Sequence, residues 1–173
     1  MAIREEVTTV GPALIVSVER MTEHDLLEVV EIEMLSGLSP WGWDAYHKEL
    51  QSGREVIMLV ARTMQPGDVS RPERGLAGFI ISRLVAGELH VNNVAVRTEF
   101  RRHGIAVRLL EAVIEWARRN HARMALLEVR AGNTAAQALY ARCGFRVTGR
   151  RRGYYTRPVE DALLMSLSLS ASP

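Results

Sequence analysis

A short basic turn at residues 101–106, with the sequence RRHGIA, carries residue types that suit the binding of a phosphate group. It stands directly before a long amphipathic segment, and backbone N–H groups at the start of a helix have no intrahelical acceptors. The helix dipole adds a partial positive charge at the same end. Gly104 leaves room for a pyrophosphate, as Ala106 nearly does, and Arg101 and Arg102 add cationic donors. The turn therefore predicts an anion-binding site at a helix N-terminus.

Apolar residues at regular spacing define the elements on either side of this turn. A β-branched run at residues 91–96 predicts a strand that leads into it. Helical spacing after the turn predicts a long helix. Its buried face is predicted to consist of Ile105, Leu109, Leu110, Val113, Trp116 and Ala117. A strand at residues 125–129 and a helix at residues 134–143 follow, with Asn133 suited to cap that helix and Gly144 to end it.

The remaining elements are predicted in the same way. Further strands are expected at residues 13–20, 56–62, 76–84, 88–96, 145–154 and 162–169. Further helices are expected at residues 23–35, capped by Thr22, and at residues 44–50. The first of them is predicted to bury Leu26, Leu27, Val30 and Met34. Residues 63–74 read as a surface hairpin loop, an Ala86-Gly87 turn separates two strands, and a loop containing residues 157–160 joins the last two.

Length and composition indicate a single domain. The chain has 173 residues, of which 47% are hydrophobic and 24% are charged, and these are ordinary values for one globular unit. We assign the domain to residues 13–169, preceded by an arm of little structure at residues 1–12 and followed by a tail at residues 170–173. The sequence contains no internal repeat or linker that would indicate a second domain.

Charge, cysteine content and hydropathy exclude several functional classes. A net charge of +2 and a pI near 9.0 are only mildly basic, so direct nucleic-acid binding is not expected. Cys143 is the only cysteine, which excludes an internal disulfide and fits a small buried hydrophobe. Neither a signal peptide nor a membrane-spanning run is found, so a cytoplasmic protein is expected. His24, His47 and His121 are scattered, and no metal site is predicted.

Four segments in the second half of the chain resemble one enzyme family. Arg-x-x-Gly-x-Ala at residues 101–106 is similar to the pyrophosphate loop of the GNAT N-acetyltransferases. The flanking segments are Asn93-Val94-Ala95-Val96, Leu127-Glu128-Val129-Arg130-x-x-Asn133 and Ala138-Leu139-Tyr140-x-x-x-Gly144-Phe145. Together they resemble the RimI-type subfamily, which acetylates the N-terminal alanine of a ribosomal protein. The resemblance covers roughly residues 14–169.

The resemblance implies an α/β fold with a mixed, mostly antiparallel sheet flanked by helices. In this fold the strands that correspond to residues 88–96 and 125–129 are parallel neighbours that splay apart. The amides of the pantetheine arm pair with the backbone groups left between them. Acetyl-CoA is thus the expected co-substrate. A backbone N–H near Val94, where the family carries a bulge, would polarise the thioester. The expected cofactor-binding residues are Val94, Ala95, Val96, Arg101, Arg102, His103, Gly104, Ile105, Ala106, Asn133 and Tyr140.

The resemblance also implies the chemical roles. Glu128 stands where the family places its general base, and Tyr140 where it places the general acid for the departing thiolate. The structural alternatives are a strand-end glutamate paired with an arginine such as Arg130, and a tyrosine that only packs on the sheet. His90 fits a solvated strand histidine better than a base.

The family binds its acceptor between the first helix–helix turn and the loop that joins the last two strands. The matching residues are Trp41, Tyr154, Tyr155 and Glu160, with Asp161 beside Glu160, and any of them could instead be structural. The chain has Gly42 where the family commonly has Ser or Thr, and Gly153-Tyr154-Tyr155-Thr156 where it has Asn-Tyr-Tyr-Pro. The acceptor is therefore expected to be a ribosomal protein N-terminus, with a small-molecule amine as the alternative. A third alternative is a non-catalytic acyl-CoA-binding domain. The oligomeric state stays open between a monomer and a weak dimer.

Overall fold

A mixed sheet of eight strands forms the centre of the computed structural model, which describes residues 8–10, 14–38, 40–64 and 75–169. The strands are β1 (Thr8–Val10), β2 (Leu14–Arg20), β3 (Val56–Met64), β4 (Leu76–Val85), β5 (Glu88–Val96), β6 (Met124–Arg130), β7 (Arg146–Thr156) and β8 (Val159–Ser168). The helices are α1 (Leu26–Leu35), α2 (Gly42–Leu50), α3 (Ile105–Arg119) and α4 (Thr134–Arg142). Short 3-10 turns at Glu23–Asp25 and Thr98–Phe100 precede α1 and α3.

The strand order is β1-β2-β3-β4-β5-β6-β8-β7, and every neighbouring pair except one is antiparallel. The exception is β5 and β6, which run parallel because the long helix α3 connects them. This arrangement confirms the fold that the sequence predicts. It also places the predicted strand–turn–helix unit in the middle of the sheet.

The parallel pair separates part of the way along its length. Register partners run from Glu88 with Met124 to Val91 with Leu127 and then stop. Both strands continue, β5 to Val96 and β6 to Arg130, each still paired on its other side. Backbone groups on the two facing edges therefore lie in the middle of a sheet without a neighbouring strand, and buried groups of this kind need another partner.

Helices cover both faces of the sheet, and β3 shows how its sequence fits them. Ile57, Leu59 and Ala61 point to the α3 side, whereas the alternate residues Val56, Met58 and Val60 point to the α1–α2 side. On the α3 side the buried helix residues are Ile105, Leu109, Leu110, Val113, Ile114 and Ala117. This matches the predicted face except that Ile114 is buried and Trp116 is only half-buried.

The buried face of α1 differs from the prediction. Thr22 forms the predicted cap, as part of a capping box with Asp25, and Leu26 is buried. Leu27 and Met34, however, are 77% and 75% exposed. The buried residues after Leu26 are Val29, Ile32 and Glu33. Val30 is partly buried and packs against the core, so the prediction holds for Leu26 and in part for Val30 but is wrong for Leu27 and Met34. It also assigned to solvent a glutamate that has partners inside the protein.

Several element boundaries also differ. Within the arm, Thr8–Val10 pairs with β2, so the expectation of little structure is wrong for these three residues. The hairpin-loop prediction falls mostly on residues 65–74, which lie outside the described residues, as do residues 170–173. Strand β8 already begins at Val159, which leaves a tighter turn between β7 and β8 than the sequence suggests. Cys143 is half-buried rather than buried.

Candidate active site

A cavity of about 1240 Å³ opens where β5 and β6 separate. Its walls come from the ends of both strands, from the turn before α3, from α4 and from the turn between α1 and α2. Strands β7 and β8 add further side chains. The cavity contains nearly all the predicted site residues: Trp41, Val94, Ala95, Val96, Arg101, Arg102, Gly104, Ile105, Ala106, Glu128, Asn133, Tyr140, Tyr154 and Tyr155. His103 and Glu160 are not part of its lining.

The turn before α3 presents backbone N–H groups to one end of the cavity. Gly104 has φ +77°, a left-handed conformation that a glycine adopts without steric cost. The first intrahelical bond runs from the Arg108 N–H to the Gly104 carbonyl at 3.1 Å, so the N–H groups of residues 105–107 have no acceptor within the helix. Backbone N–H groups without an acceptor in the helix thus lie where the sequence predicts an anion site.

The side chains of this turn are fixed by the strand that precedes it. Arg101 Nε donates to the carbonyl of Val96 at 3.0 Å, which ties the turn to the end of β5. The Nδ1 atom of His103 lies 2.8 Å from the carbonyl oxygen of Arg101, and its ring stays outside the cavity. Arg102 is exposed and lines the cavity. Of the two arginines, Arg102 is thus the one whose guanidinium is not used within the turn.

The start of α4 forms the neighbouring wall. Asn133 Oδ1 accepts a hydrogen bond from the Ala136 N–H at 3.0 Å, which is the predicted N-cap. The amide of Gln137 donates to the carbonyls of Arg130 and Ala131 at 3.1 and 2.8 Å. These bonds hold the turn between β6 and α4. Asn133 itself lines the cavity, so its capping and its exposure to a ligand are compatible.

Tyr140 on α4 is almost completely buried yet reaches the cavity wall. Its ring is 8% exposed and meets Phe145 edge-on, with 6.1 Å between the centroids. Burial, followed by the nearby Tyr155 and Cys143, raises the pKa of the Tyr140 phenol above its ordinary value. The hydroxyl therefore stays protonated at neutral pH. Such a group can donate a hydrogen bond or a proton into the cavity.

Glu128, at the end of β6, also lines the cavity and holds a cation. Its Oε1 atom lies 3.0 Å from Nη1 of Arg151, and the Tyr154 phenol hydrogen bonds to the same carboxylate. That hydrogen bond raises the pKa of Tyr154. The structural alternative for Glu128, an ion pair, is thus present. Its partner is Arg151, whereas the predicted Arg130 pairs with Glu160 at 3.2 Å.

Aromatic rings surround the part of the cavity near Glu128. Tyr154 and Tyr155 meet edge-on with 5.2 Å between centroids, and the Arg130 guanidinium lies 4.0 Å above the Tyr155 ring. Trp41, which also lines the cavity, stacks on Tyr46 with 5.6 Å between the ring centroids. Glu160 instead accepts hydrogen bonds from Arg130 and from the Gly132 N–H. Its contacts therefore fit the structural alternative that the sequence left open.

A buried polar network beneath Trp41 is missing from the sequence-based prediction. Glu33 is 1% exposed and accepts hydrogen bonds from the N–H groups of Trp41 and Gly42, at 2.8 and 3.1 Å. The Tyr46 hydroxyl donates to the same carboxylate and accepts from Asn93 Nδ2 at 3.2 Å. Asn93 belongs to β5 and lines the cavity. One network thus joins the end of α1, the start of α2 and the edge of the cleft.

One signal in the sequence could have indicated this network. Leu26, Val29 and Glu33 are spaced along one helical face, and a glutamate on a face with two apolar residues needs a buried partner. Burial and the bond to Glu33 raise the pKa of Tyr46, so its hydroxyl remains a donor at neutral pH.

The predicted bulge in β5 lies two residues before its expected position. Ile81 of β4 pairs with Asn93, but the next residue, Ser82, pairs with Val91. Asn92 is therefore the extra residue, and it lines the cavity. A bulge bends its strand locally, and Val94, two residues further on, also lines the cavity.

Other candidate groups give no second site in the described residues. His90 also lines the cavity, but it is 44% exposed and lies 3.5 Å from Glu88, in keeping with a solvated strand histidine. Among the described residues, no three His, Cys, Asp or Glu side chains come together in a way that could hold a metal ion. None of the helices in this part of the chain combines the length and apolar character required to span a membrane.

Comparison with known proteins gives consistent matches over most of the chain. The sequence model of the acetyltransferase (GNAT) family matches residues 26–145. A ribosomal protein bS18-alanine N-acetyltransferase of Escherichia coli K12 is 39% identical over 156 residues, covering 89% of this chain and 98% of that protein. The N-alpha-acetyltransferase RimI of Mycobacterium tuberculosis is 31% identical over 156 residues, covering 87% and 90%.

Solved structures give the same result for the fold. The crystal structure of the ribosomal-protein-S18-alanine N-acetyltransferase from Escherichia coli superposes with a TM-score of 0.75 at 29% identity, covering 91% of this chain and 96% of that one. The structure of Arabidopsis thaliana NAA60 in complex with acetyl-CoA superposes with a TM-score of 0.76 at 20% identity, covering 88% and 98%. At that identity the second likeness concerns the fold alone.

Proposed function

Because the chain belongs to the GNAT acetyltransferase family, we propose that it transfers the acetyl group of acetyl-CoA to the N-terminal α-amino group of an acceptor protein. The acceptor class that fits best is a ribosomal protein beginning with alanine, as the name of the 39% identical relative suggests. One observation carries the proposal. One cavity is lined by the start of α3, the buried phenol of Tyr140 and the carboxylate of Glu128. The aromatic side chains of Trp41, Tyr154 and Tyr155 also line it.

The residues at the cleft fit acetyl-CoA. Separated strands leave the edges of residues 92–96 and 128–130 facing each other, and such edges can bond the amides of a pantetheine arm. The free N–H groups after Gly104, with Arg102 beside them, suit a pyrophosphate. Bound acetyl-CoA would supply an activated acetyl thioester. All other groups that the transfer needs belong to the protein and the acceptor.

Glu128 is the proposed general base. The ordinary pKa of an α-amino group is about 7.7–8.0, so most of it is protonated at neutral pH and must lose a proton before it attacks. A carboxylate can take this proton directly or through one water molecule. Glu128 lines the cavity and is 27% exposed, which gives a solvent-linked route for the proton.

Tyr140 is the proposed general acid. The departing CoA thiolate needs a proton, and a phenol that burial keeps protonated can deliver it. The side chain is held by its position on α4 and by Phe145, so its hydroxyl has a fixed place in the cavity wall. Tyr140 and Glu128 thus lie on neighbouring elements, α4 and β6, that meet at the cleft.

The acceptor side is proposed to consist of Trp41, Tyr154 and Tyr155. All three line the cavity, and Trp41 is held by the Glu33–Tyr46 network. Their rings can enclose a small side chain such as the methyl group of an N-terminal alanine. Glu160, whose carboxylate is bound to Arg130 and Gly132, is better assigned to the support of this wall.

A peptide-panel assay tests the proposed function. Peptides that begin with alanine or with other residues, together with polyamines and amino acids, would be incubated with acetyl-CoA, and mass spectrometry would locate the acetylated nitrogen. We expect alanine-starting peptides to react at the α-nitrogen, and the same peptides with a blocked N-terminus to remain unmodified. Rapid acetylation of a small amine without any peptide product would reject the protein-acceptor assignment. Absence of turnover on every amine would favour the non-catalytic alternative.

A further inference from the structure

The carboxylate of Glu128 already has a cation bound where a protonated amine would have to come. Nη1 of Arg151 lies 3.0 Å from Glu128 Oε1, and the Arg151 guanidinium lies 5.4 Å from the centre of the Tyr154 ring. All three residues line the cavity. A carboxylate with an aromatic face beside it is a favourable site for an organic cation.

The exposure of the Arg151 side chain allows its guanidinium to move away from Glu128. It is 53% exposed, and it extends from β7, the strand at the edge of the sheet. It crosses β8 to reach Glu128, since β8 lies between β6 and β7. By contrast, Arg62 is only 16% exposed and binds both Glu19 and Asp25. An exposed ion pair contributes little to stability, so its exchange for another cation costs little.

We propose that Arg151 is an internal competitor of the acceptor amine, which displaces the guanidinium from Glu128 when it binds. This inference rests on the proposed function, in which Glu128 takes a proton from the acceptor. An ammonium group that approached Glu128 Oε1 would also come close to the like-charged guanidinium of Arg151, so binding of the amine favours departure of that guanidinium. The exchange replaces one positive charge by another and forms no covalent bond. Arg151 therefore keeps the carboxylate paired in the free protein. An incoming amine must break this pair, which raises its dissociation constant.

The competition predicts that removal of the guanidinium strengthens acceptor binding. We would measure by calorimetry the dissociation constant of an alanine-starting basic peptide for the full chain in the presence of CoA. Arg151→Ala is expected to lower it by roughly two- to fivefold, in keeping with an exposed ion pair. Methylguanidinium is expected to compete with the peptide in this variant. In an additional Glu128→Gln background, Arg151→Ala should change the dissociation constant much less.

Arg150→Ala is the matched control. Arg150 precedes Arg151 on the same strand and is similarly exposed, at 59%, but it pairs with Asp161 at 2.6 Å instead of Glu128. Its removal changes the net charge by the same amount. Asp161 still accepts the Gly153 N–H at 2.8 Å, which holds the end of β7. We expect the dissociation constant of this variant to stay near that of the unchanged chain.

An unchanged or higher dissociation constant for Arg151→Ala would overturn the proposal, because Arg151 would then position Glu128 or contact the acceptor directly. An equal gain in Arg150→Ala would overturn it too, since net charge would explain both. If the peptide panel shows that a small amine is the true acceptor, the same comparison is made with the Michaelis constant of that amine. The peptide panel therefore tests which acceptor is used, whereas the comparison of Arg151→Ala with Arg150→Ala tests the competition for Glu128. Absence of amine binding to any variant would also overturn the competition.

Discussion

Val91 of β5 and Leu127 of β6 are the last register partners of the parallel strands, and the cavity opens directly beyond them. The two strands diverge there although each keeps its partner on the other side, β4 or β8. The fold therefore makes a cleft inside a sheet without interrupting its core. This geometry lets residues from the start of α3, from α4 and from β7 reach one space, and the predictions below probe each of them.

The left-handed Gly104 at the start of α3 should be required for acetyl-CoA binding. Gly104→Ala places a side chain at φ +77°, which costs roughly 1–2 kcal/mol, and disturbs the N–H groups that we assign to the pyrophosphate. Gly53→Ala is the control, because Gly53 has φ +83° in a turn away from the cavity. We expect a similar loss of unfolding free energy in both variants by urea denaturation, but weaker acetyl-CoA binding only in Gly104→Ala. Equal affinities would remove the turn from the cofactor site.

Loss of the Tyr140 hydroxyl should slow acetyl transfer without affecting acetyl-CoA affinity. Tyr140→Phe keeps the ring that packs on Phe145 and removes only the proposed proton donor. General acid catalysis contributes on the order of a hundredfold or more to a rate, so kcat should fall by about that factor. Steady-state kinetics would give kcat, and calorimetry the dissociation constant of acetyl-CoA. A parallel loss in both quantities would show that Tyr140 is needed for the shape of the site only.

The tyrosines should titrate at higher pH in the native protein than in the unfolded chain. All four have a raised pKa, chiefly through burial for Tyr46, Tyr140 and Tyr155 and through the bond to Glu128 for Tyr154. A native state that keeps its protons longer than the unfolded state loses stability as the pH rises. The unfolding free energy should therefore fall above about pH 10, by about 1.4 kcal/mol per pH unit for each fully buried tyrosine.

Phenolate absorbance measured against pH, with and without urea, checks this prediction. The native protein should show a delayed rise, and Tyr140→Phe should reduce the amplitude that appears only on unfolding. Full native titration near pH 10 would contradict the burial of the phenols.

Periodicity and capping residues predicted most of the fold. Helix α3 buries Ile105, Leu109, Leu110, Val113 and Ala117, as their spacing indicates, and Asn133 and Gly144 bound α4 as expected. The motif-based resemblance added the parallel, diverging pair that corresponds to β5 and β6, because an apolar pattern does not specify which strands are neighbours. Gly153, where the family has Asn, has φ +57°, a conformation that both residue types adopt readily. This departure from the motif therefore preserves the backbone geometry.

The contacts that sequence reasoning missed depend on residues distant along the chain. Glu33 is buried because Trp41, Gly42 and Tyr46 donate to it, and a helix pattern alone assigns a glutamate to solvent. Leu27 and Met34 of the same helix were predicted to be buried but are exposed. The partner of Glu128 was also missed, since Arg151 reaches it across an intervening strand. Local spacing can indicate that such a side chain needs a partner, but it does not identify the partner.

Removal of Glu33 should reduce both stability and acceptor binding. Glu33→Ala leaves two backbone N–H groups and the Tyr46 hydroxyl without their acceptor in a buried place, which should cost about 3 kcal/mol of unfolding free energy. The start of α2 and Trp41 lose their anchor, so the Michaelis constant of the acceptor should rise while acetyl-CoA affinity stays the same. Glu31→Ala, on the exposed side of the same helix, serves as the control and should change neither.

Urea denaturation and acceptor kinetics provide the two measurements for Glu33. Tyr46→Phe gives an intermediate test, because it removes one of the three donors and leaves the carboxylate bound to Trp41 and Gly42. The Michaelis constant of the acceptor in this variant should lie between that in Glu33→Ala and that in the unchanged chain. Normal acceptor kinetics in a destabilised Glu33→Ala would restrict the network to a structural role.

Replacement of Glu128 by glutamine should distinguish a base from an ion-pair partner. Glu128→Gln keeps the size of the side chain but cannot take a proton, so kcat should fall on the order of a hundredfold or more at neutral pH. Glu160→Gln is the matched control: it weakens a comparable arginine pair, with Arg130, but its carboxylate is not part of the cavity lining. The two substitutions would then differ in kcat far more than in unfolding free energy. If both variants retain normal kcat, deprotonation of the amine must occur elsewhere, and the carboxylate at the end of β6 would serve only to hold Arg151.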